Sequence, residues 1–156
     1  MARIVTDGTA YVNLSQVDTT AQFALGLKVQ ADSGQYLYAQ ANGAIGEGAA
    51  CSFEVTATDC QAIKQATGTT GQSIGAACEA LADNEYGWFW LGGAGGYDNL
   101  LVVTGIADNA ALTLDTAAVA GTWGAGGTAV VGAYAAAASG VGTGLVACRS
   151  TQTFRS

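Results

Sequence analysis

The chain has no histidine and no proline, and only 11% of its 156 residues are charged. Without an imidazole, a serine or cysteine nucleophile has no histidine base, so hydrolytic triads of that type are excluded. Cations are scarcer still. They are Arg3, Lys28, Lys64, Arg149 and Arg155, so nothing from Gln65 to Cys148 is positively charged, while Glu79, Asp83, Glu85, Asp98, Asp108 and Asp115 all fall there. Binding a polyphosphate backbone needs several cations along one groove or face, because release of condensed counterions drives the association. With a net charge of −7, the field repels nucleic acid, and no nucleic-acid partner is expected.

Metal and cofactor motifs are missing as well. Cys51, Cys60, Cys78 and Cys148 form no C-x-x-C pair, so a zinc site would require thiolates converging from unrelated segments. The expectation is four small buried thiols in a reducing cytoplasm. The opening MARIVTDGTAYVNLS has no hydrophobic signal-peptide core. The calcium loop D-x-[DN]-x-[DN]-G is absent. GGAGG (92–96) is followed by Tyr97 and Asp98 rather than Lys-Ser/Thr, so it is no phosphate cradle. It reads instead as a loop or a close packing of backbones. Glu79, Asp83 and Glu85 offer carboxylates for glycoside hydrolysis, but Asp83-Asn84 reads first as turn chemistry. No residue is singled out as catalytic, cofactor-binding or metal-ligating, and no enzymatic activity is expected.

What is present is glycine, 23 of them, and apolar residues at 50%. So few charged groups cannot cover a free monomer in the usual way, which implies that protein covers part of the exterior. The segment AVVGAYAAAASGVGTGLVAC (129–148) has the length of a membrane span. Its small residues gain little from lipid and its glycines weaken a helix, so a pair of strands is the better assignment and no membrane partner is expected.

Short runs of two-residue alternation recur. SFEVTAT (52–58) points Phe53, Val55 and Ala57 one way and its polar residues the other, QYLYAQ (35–40) places Tyr36 and Tyr38 together, and LLVVTGI (100–106) is apolar on both faces. ALTLD (111–115), TAVVGAYA (128–135) and LVACRS (145–150) read as further strands. Turn signals separate them at ADSG, ANG, GTTG, ADN and SGVGTG. DCQAIKQAT (59–67) fits a short helix capped by Asp59 or a strand. The fold predicted is all-β, an antiparallel β-sandwich or barrel-like domain. Residues 1–22, polar and β-branched, form an extended N-terminal arm, free or draped on a partner. Residues 23–156 form one β-rich domain with no strict internal repeat.

NEYGWFWLGGAGG (84–96) gathers the bulkiest side chains beside five glycines. Tyr86, Trp88 and Trp90 share one strand face, and Phe89 and Leu91 the other. Each large aromatic buries roughly 150–250 Å², about 4–6 kcal/mol per ring as a gross upper bound. Such a cluster must be covered, as domain core, as an oligomer or partner interface, or by stacked sugar. Tyr36, Tyr38, Tyr86, Trp88, Phe89 and Trp90 are the candidate interface residues.

Three passages in order resemble the capsid decoration, or cement, proteins of tailed bacteriophages. They are FALGLKVQADSGQYLYAQANGAIGEGAAC (23–51), SIGAACEALADNEYGWFWLGG (73–93) and the closing AVVGAYAAAASGVGTGLVACRS (129–150). The resemblance covers roughly two thirds of the chain, and its weight lies in the order of weak motifs. The alanine-rich 117–144 region and the long N-terminal arm depart from it. It implies a non-enzymatic, β-rich protein on the outer face of an icosahedral virion shell, made in the host bacterial cytoplasm. It also implies contact with several copies of the major capsid protein, and a homotrimer. The competing expectation is a carbohydrate-binding or adhesive β-module.

Overall fold

Alternating side chains punctuated by glycine turns leave no stretch able to hold a helical stripe, and the computed structural model follows suit. It describes residues 3–6, 10–55, 59–64, 74–93, 97–102, 106–108, 110–114, 122–124, 129–135 and 144–155. Among these there is no helix, and the fold is all-β. DCQAIKQAT, open between helix and strand, contributes a strand at Cys60–Lys64, and both ends of the 129–148 segment lie in strands. No helix among the described residues is long and apolar enough to cross a membrane.

The strands are β1 (Arg3–Thr6), β2 (Ala10–Asn13), β3 (Lys28–Ala31), β4 (Gly34–Asn42), β5 (Ala50–Val55), β6 (Cys60–Lys64) and β7 (Ile74–Ala77). They continue with β8 (Tyr86–Trp90), β9 (Tyr97–Val102), β10 (Ala111–Leu114), β11 (Trp123–Gly124), β12 (Ala129–Ala135) and β13 (Gly144–Arg155). β1 and β2 form a separate hairpin. β3 pairs with the start of β4.

The remaining ten strands form two rings of five. In the first, β4 pairs in parallel with β6 and antiparallel with β8, β5 pairs antiparallel with β6 and β7, and β7 with β8 closes the circuit. In the second, β9 pairs in parallel with β11 and antiparallel with β13, β10 pairs antiparallel with β11 and β12, and β12 with β13 closes it. The connectivity is the same strand for strand. Even the parallel step matches: Gln40 meets Gln61 in the first ring and Val102 meets Trp123 in the second, with equal spacing along the chain. The region expected to be one domain, residues 23–156, thus contains two rings of one topology in tandem, a repeat of strand pairing. Closing each ring removes the exposed edges that an open sheet would carry.

The two faces of the first ring's strands have different fates. Leu37, Ala39, Phe53, Ala62, Phe89 and Leu91 belong to a core of the first ring's own. Tyr36, Tyr38, Ile74, Ala76, Trp88 and Trp90 point the other way. They join a second core that continues into Leu100, Val102, Leu112 and Trp123 of the second ring. β9 is covered on both sides, as its two apolar faces required: Leu100 and Val102 are buried, while Leu101 packs against the first ring's core.

Two backbone crossings hold this arrangement. Gly34, Gly92 and Gly93 approach so closely that a Cβ on Gly34 would overlap the Gly92 carbonyl. All three have positive φ, the region glycine occupies without strain. This is what Gly92 and Gly93 of GGAGG do; Gly95 and Gly96 lie outside the described residues. At the second crossing, Gly48 passes against Asn99, and the Gly48 carbonyl accepts from Leu101 N (3.0 Å) and Trp123 Nε1 (3.1 Å). The first crossing thus ties the start of β4 to the end of β8 within the first ring, and the second joins the two rings backbone to backbone.

Candidate interface residues and the aromatic face

The cross-strand register builds the aromatic face directly. Tyr36 lies opposite Trp90 and Tyr38 opposite Trp88, and the two-residue period sends all four side chains to the same side. Tyr86 extends the row. Tyr38 lies 5.1 Å from Trp88 between ring centroids and stacks on Tyr86 at 6.4 Å. Trp90 stacks on Tyr97 of the second ring at 5.4 Å. Phe89 points inward, edge-on to Phe53 at 5.4 Å.

Of the six candidate interface residues, Tyr36, Tyr38, Trp88, Phe89 and Trp90 are buried within this single chain, and only Tyr86 is half-exposed. As the direct contact surface for a partner, the first five are therefore replaced by the chain's own packing. Phe89 lies in the first ring's own core and Trp90 against Tyr97 of the second ring, while the N-terminal segment covers Tyr38 and Trp88. Val12 and Leu14 are buried in the same core as Trp88, and Phe23 packs against Tyr38 (5.1 Å) and Trp88 (5.4 Å). Asp18 exchanges two backbone hydrogen bonds with Tyr86, at 2.9 and 2.8 Å. Its carboxylate accepts from the Tyr38 hydroxyl at 2.7 Å and from Gln16 Nε2 at 2.6 Å. Residues 12–22, expected in a free or partner-bound arm, are thus a strap on the chain's own aromatic face.

Sequence reasoning passed over Val12, Leu14, Asp18 and Phe23 as the cover. The one available signal was the alternation of Val12 and Leu14 beyond the Tyr11 strand, too short to separate from an exposed extended segment.

Polar ends of the aromatics are mostly satisfied. Trp90 Nε1 donates to the Ser33 carbonyl (3.0 Å), and the Ser33 and Tyr36 hydroxyls lie 2.5 Å apart. Trp88 Nε1 is buried without a hydrogen-bond partner, among the rings of Phe23 and Tyr38. Burial pushes the Tyr36 hydroxyl up to about 12, opposed by its Ser33 bond. Burial also pushes Tyr38 up to about 12, opposed by the Gln22 amide and reinforced by Asp18. Tyr97, whose hydroxyl reaches the Ala77 and Cys78 carbonyls (3.2 Å each), is raised further, chiefly by burial.

Cys51, Cys60 and Cys78 are buried thiols, and burial raises Cys60 and Cys78 away from the reactive thiolate. The Cys148 side chain lies outside the described residues. Two of the three acids that suggested a glycosidase pair, Asp83 and Glu85, hold turns. Asp83 Oδ1 accepts from Gly43 N and Glu85 Oε2 from Ala82 N, each at 2.7 Å, around Asn84 at φ 66°. Among the described residues no group of three or more histidines, cysteines or acids is placed to hold a metal ion. Trp88 and Trp90 are buried, so neither offers a ring face for sugar stacking.

Comparison with known proteins finds no matching family model, no matching curated protein and no matching solved structure.

Proposed function

We propose that the chain is a structural virion protein. It seats on the outer surface of a bacteriophage capsid and stabilises the mature shell by bridging major capsid protein subunits. The observation that carries this is the order of the three decoration-protein-like passages along the sequence. The physics of the fold supports it. The two rings share a core and meet at the Gly48 crossing, and a body already packed in this way has less conformational entropy to lose on docking. Its net charge of −7 suits the exterior of a shell whose interior is packed with DNA.

The mechanism is mass action. Contacts of modest strength to neighbouring subunits act together, because each later contact forms at high effective concentration. Binding the expanded lattice in preference to its precursor lowers the free energy of the former and opposes rupture.

Purified protein added to empty mature shells is expected to bind at regular lattice positions and to raise their rupture temperature. Equal rupture temperatures for occupied and bare shells would remove the stabilising role. A tryptophan-fluorescence titration against a glycan panel tests the carbohydrate-binding alternative. A buried pair of indoles is expected to give no shift, and a robust one would transfer support to that alternative.

A further inference from the structure

The strap over the aromatic face is held more lightly than the rings beneath it. From Ser15 to Leu25 its one buried side chain is Asp18; Gln16, Phe23 and Leu25 are half-buried and the others exposed. The chain on either side is firmer. Val12 and Leu14 are buried in the shared core, and after Leu27 the chain enters β3, paired with β4. Gly26 sits at a φ of 82°, where glycine turns the chain without strain. A segment with so little buried apolar surface opens at lower free energy than the core it covers.

Closure also carries two local costs. The Trp88 indole N–H is buried without a hydrogen-bond partner, with Phe23 lying against its ring at 5.4 Å between centroids. The Asp18 carboxylate is buried too, and its side-chain partners are the Tyr38 hydroxyl and the Gln16 amide rather than a cation. Both groups recover hydration when the segment lifts away. Opposing these costs are the Phe23 ring contacts, the two backbone bonds between Asp18 and Tyr86, and the Gln22 amide bond to the Tyr38 hydroxyl.

We propose that residues 15–25 are a latch that opens and closes as one unit over Tyr38 and Trp88 while both rings stay folded. Asp18 is its clasp, because its side chain holds Tyr38 and its backbone holds Tyr86. Gly26 is the hinge at one end. The turn at Asn13, which accepts from Ser15 N at its side chain and from Gln16 N at its carbonyl (3.2 Å each), is the hinge at the other. The open form uncovers the row Tyr86, Tyr38 and Trp88 that the closed form withholds. The proposal does not rest on shell binding, and either can fail alone.

Native-state hydrogen exchange on the full chain tests it. The amides of Asp18, Gln22 and Tyr86, each bonded across the latch, are expected to share one opening equilibrium. Relative to their intrinsic rates, they should exchange at least roughly tenfold faster than the amides of Cys78 and Leu91, which are bonded within the first ring. D18A removes the clasp and should raise all three latch rates by about a further tenfold, with Cys78 and Leu91 unchanged. Acrylamide should quench tryptophan fluorescence more strongly in D18A than in wild type, and the gain should be absent from D18A/W88F. Where D18A alters circular dichroism, the wild-type exchange series decides alone. Latch amides no faster than ring amides, three unrelated opening equilibria, an equal rise at Cys78 and Leu91 in folded D18A, or a gain in quenching that survives in D18A/W88F would each overturn the proposal.

Discussion

The two rings share one connectivity but are filled differently. The first closes around its own core, in which Ala39, Ala41, Ala49, Ala62 and Ala77 sit between Leu37, Phe53, Phe89 and Leu91. In the second, Leu100, Val102, Leu112, Trp123 and Ala135 belong to a core shared with the outer face of the first ring. A ring lined by small residues can close tightly on itself. Trp123, whose indole reaches across to the Gly48 carbonyl at 3.1 Å, packs into a core that crosses the boundary. Repeated topology therefore does not mean repeated independence: the buried core of the first ring is built from its own residues, with Leu101 of the second packed against it, whereas the second shares its core with the outer face of its neighbour.

The sharpest way to break this comparison is to truncate one residue in each core. Trp90→Ala is expected to cost about 3–5 kcal/mol and to weaken hydrogen-exchange protection in both rings, because Trp90 stacks on Tyr97 and sits in the shared core. Phe89→Ala should lose a similar amount, with the loss of protection centred on the first ring. Loss confined to the first ring in both variants would mean that the rings are energetically separate.

A smaller effect is expected at the backbone crossing. A Cβ at Gly48 would overlap the Asn99 carbonyl and lie 2.7 Å from Leu101 N, at a φ of +70°. Gly48→Ala should therefore cost more than about 2 kcal/mol through overpacking and left-handed strain. A denaturant midpoint equal to wild type would show that the rings are not held at this point.

The mildest test uses alkali. Tyr36 and Tyr38 ionise near 12 in the fold against an ordinary 10.0. Stability from this source is whole below pH 10. It falls as pH rises towards 12, because the unfolded chain sheds protons that the folded chain retains. A denaturation midpoint that stays level across that window would show the outer aromatic face to be open to water.

Much of the strand content was legible because alternation is a local property. SFEVTAT placed Phe53 inward and Glu54 outward, and LLVVTGI announced a strand covered on two sides. Gly92 and Gly93 were legible as a close approach, though not their partner Gly34, since nothing local links positions so far apart. The tandem rings were invisible for a different reason. Ring closure depends on which strand pairs with which, and backbone hydrogen bonds accept almost any side chains that alternate correctly. Two rings can thus match in pairing while the equivalent triplets Tyr38-Ala39-Gln40 and Leu100-Leu101-Val102 share no residue.

The aromatic cluster divides along the same line. Its period placed Trp88 and Trp90 on one face and Phe89 on the other, and its size demanded that the face be covered. What covers it is a matter of long-range geometry: Val12, Leu14, Asp18 and Phe23 from one end of the chain, Tyr97 and Trp123 from the other. Local composition dictated an all-β chain with no histidine chemistry and a heavy apolar load, because those follow from residue type and spacing alone. Only tertiary structure decided that the face bearing Tyr38, Trp88 and Trp90 is buried within one chain, because burial is a relation between segments that no single segment contains.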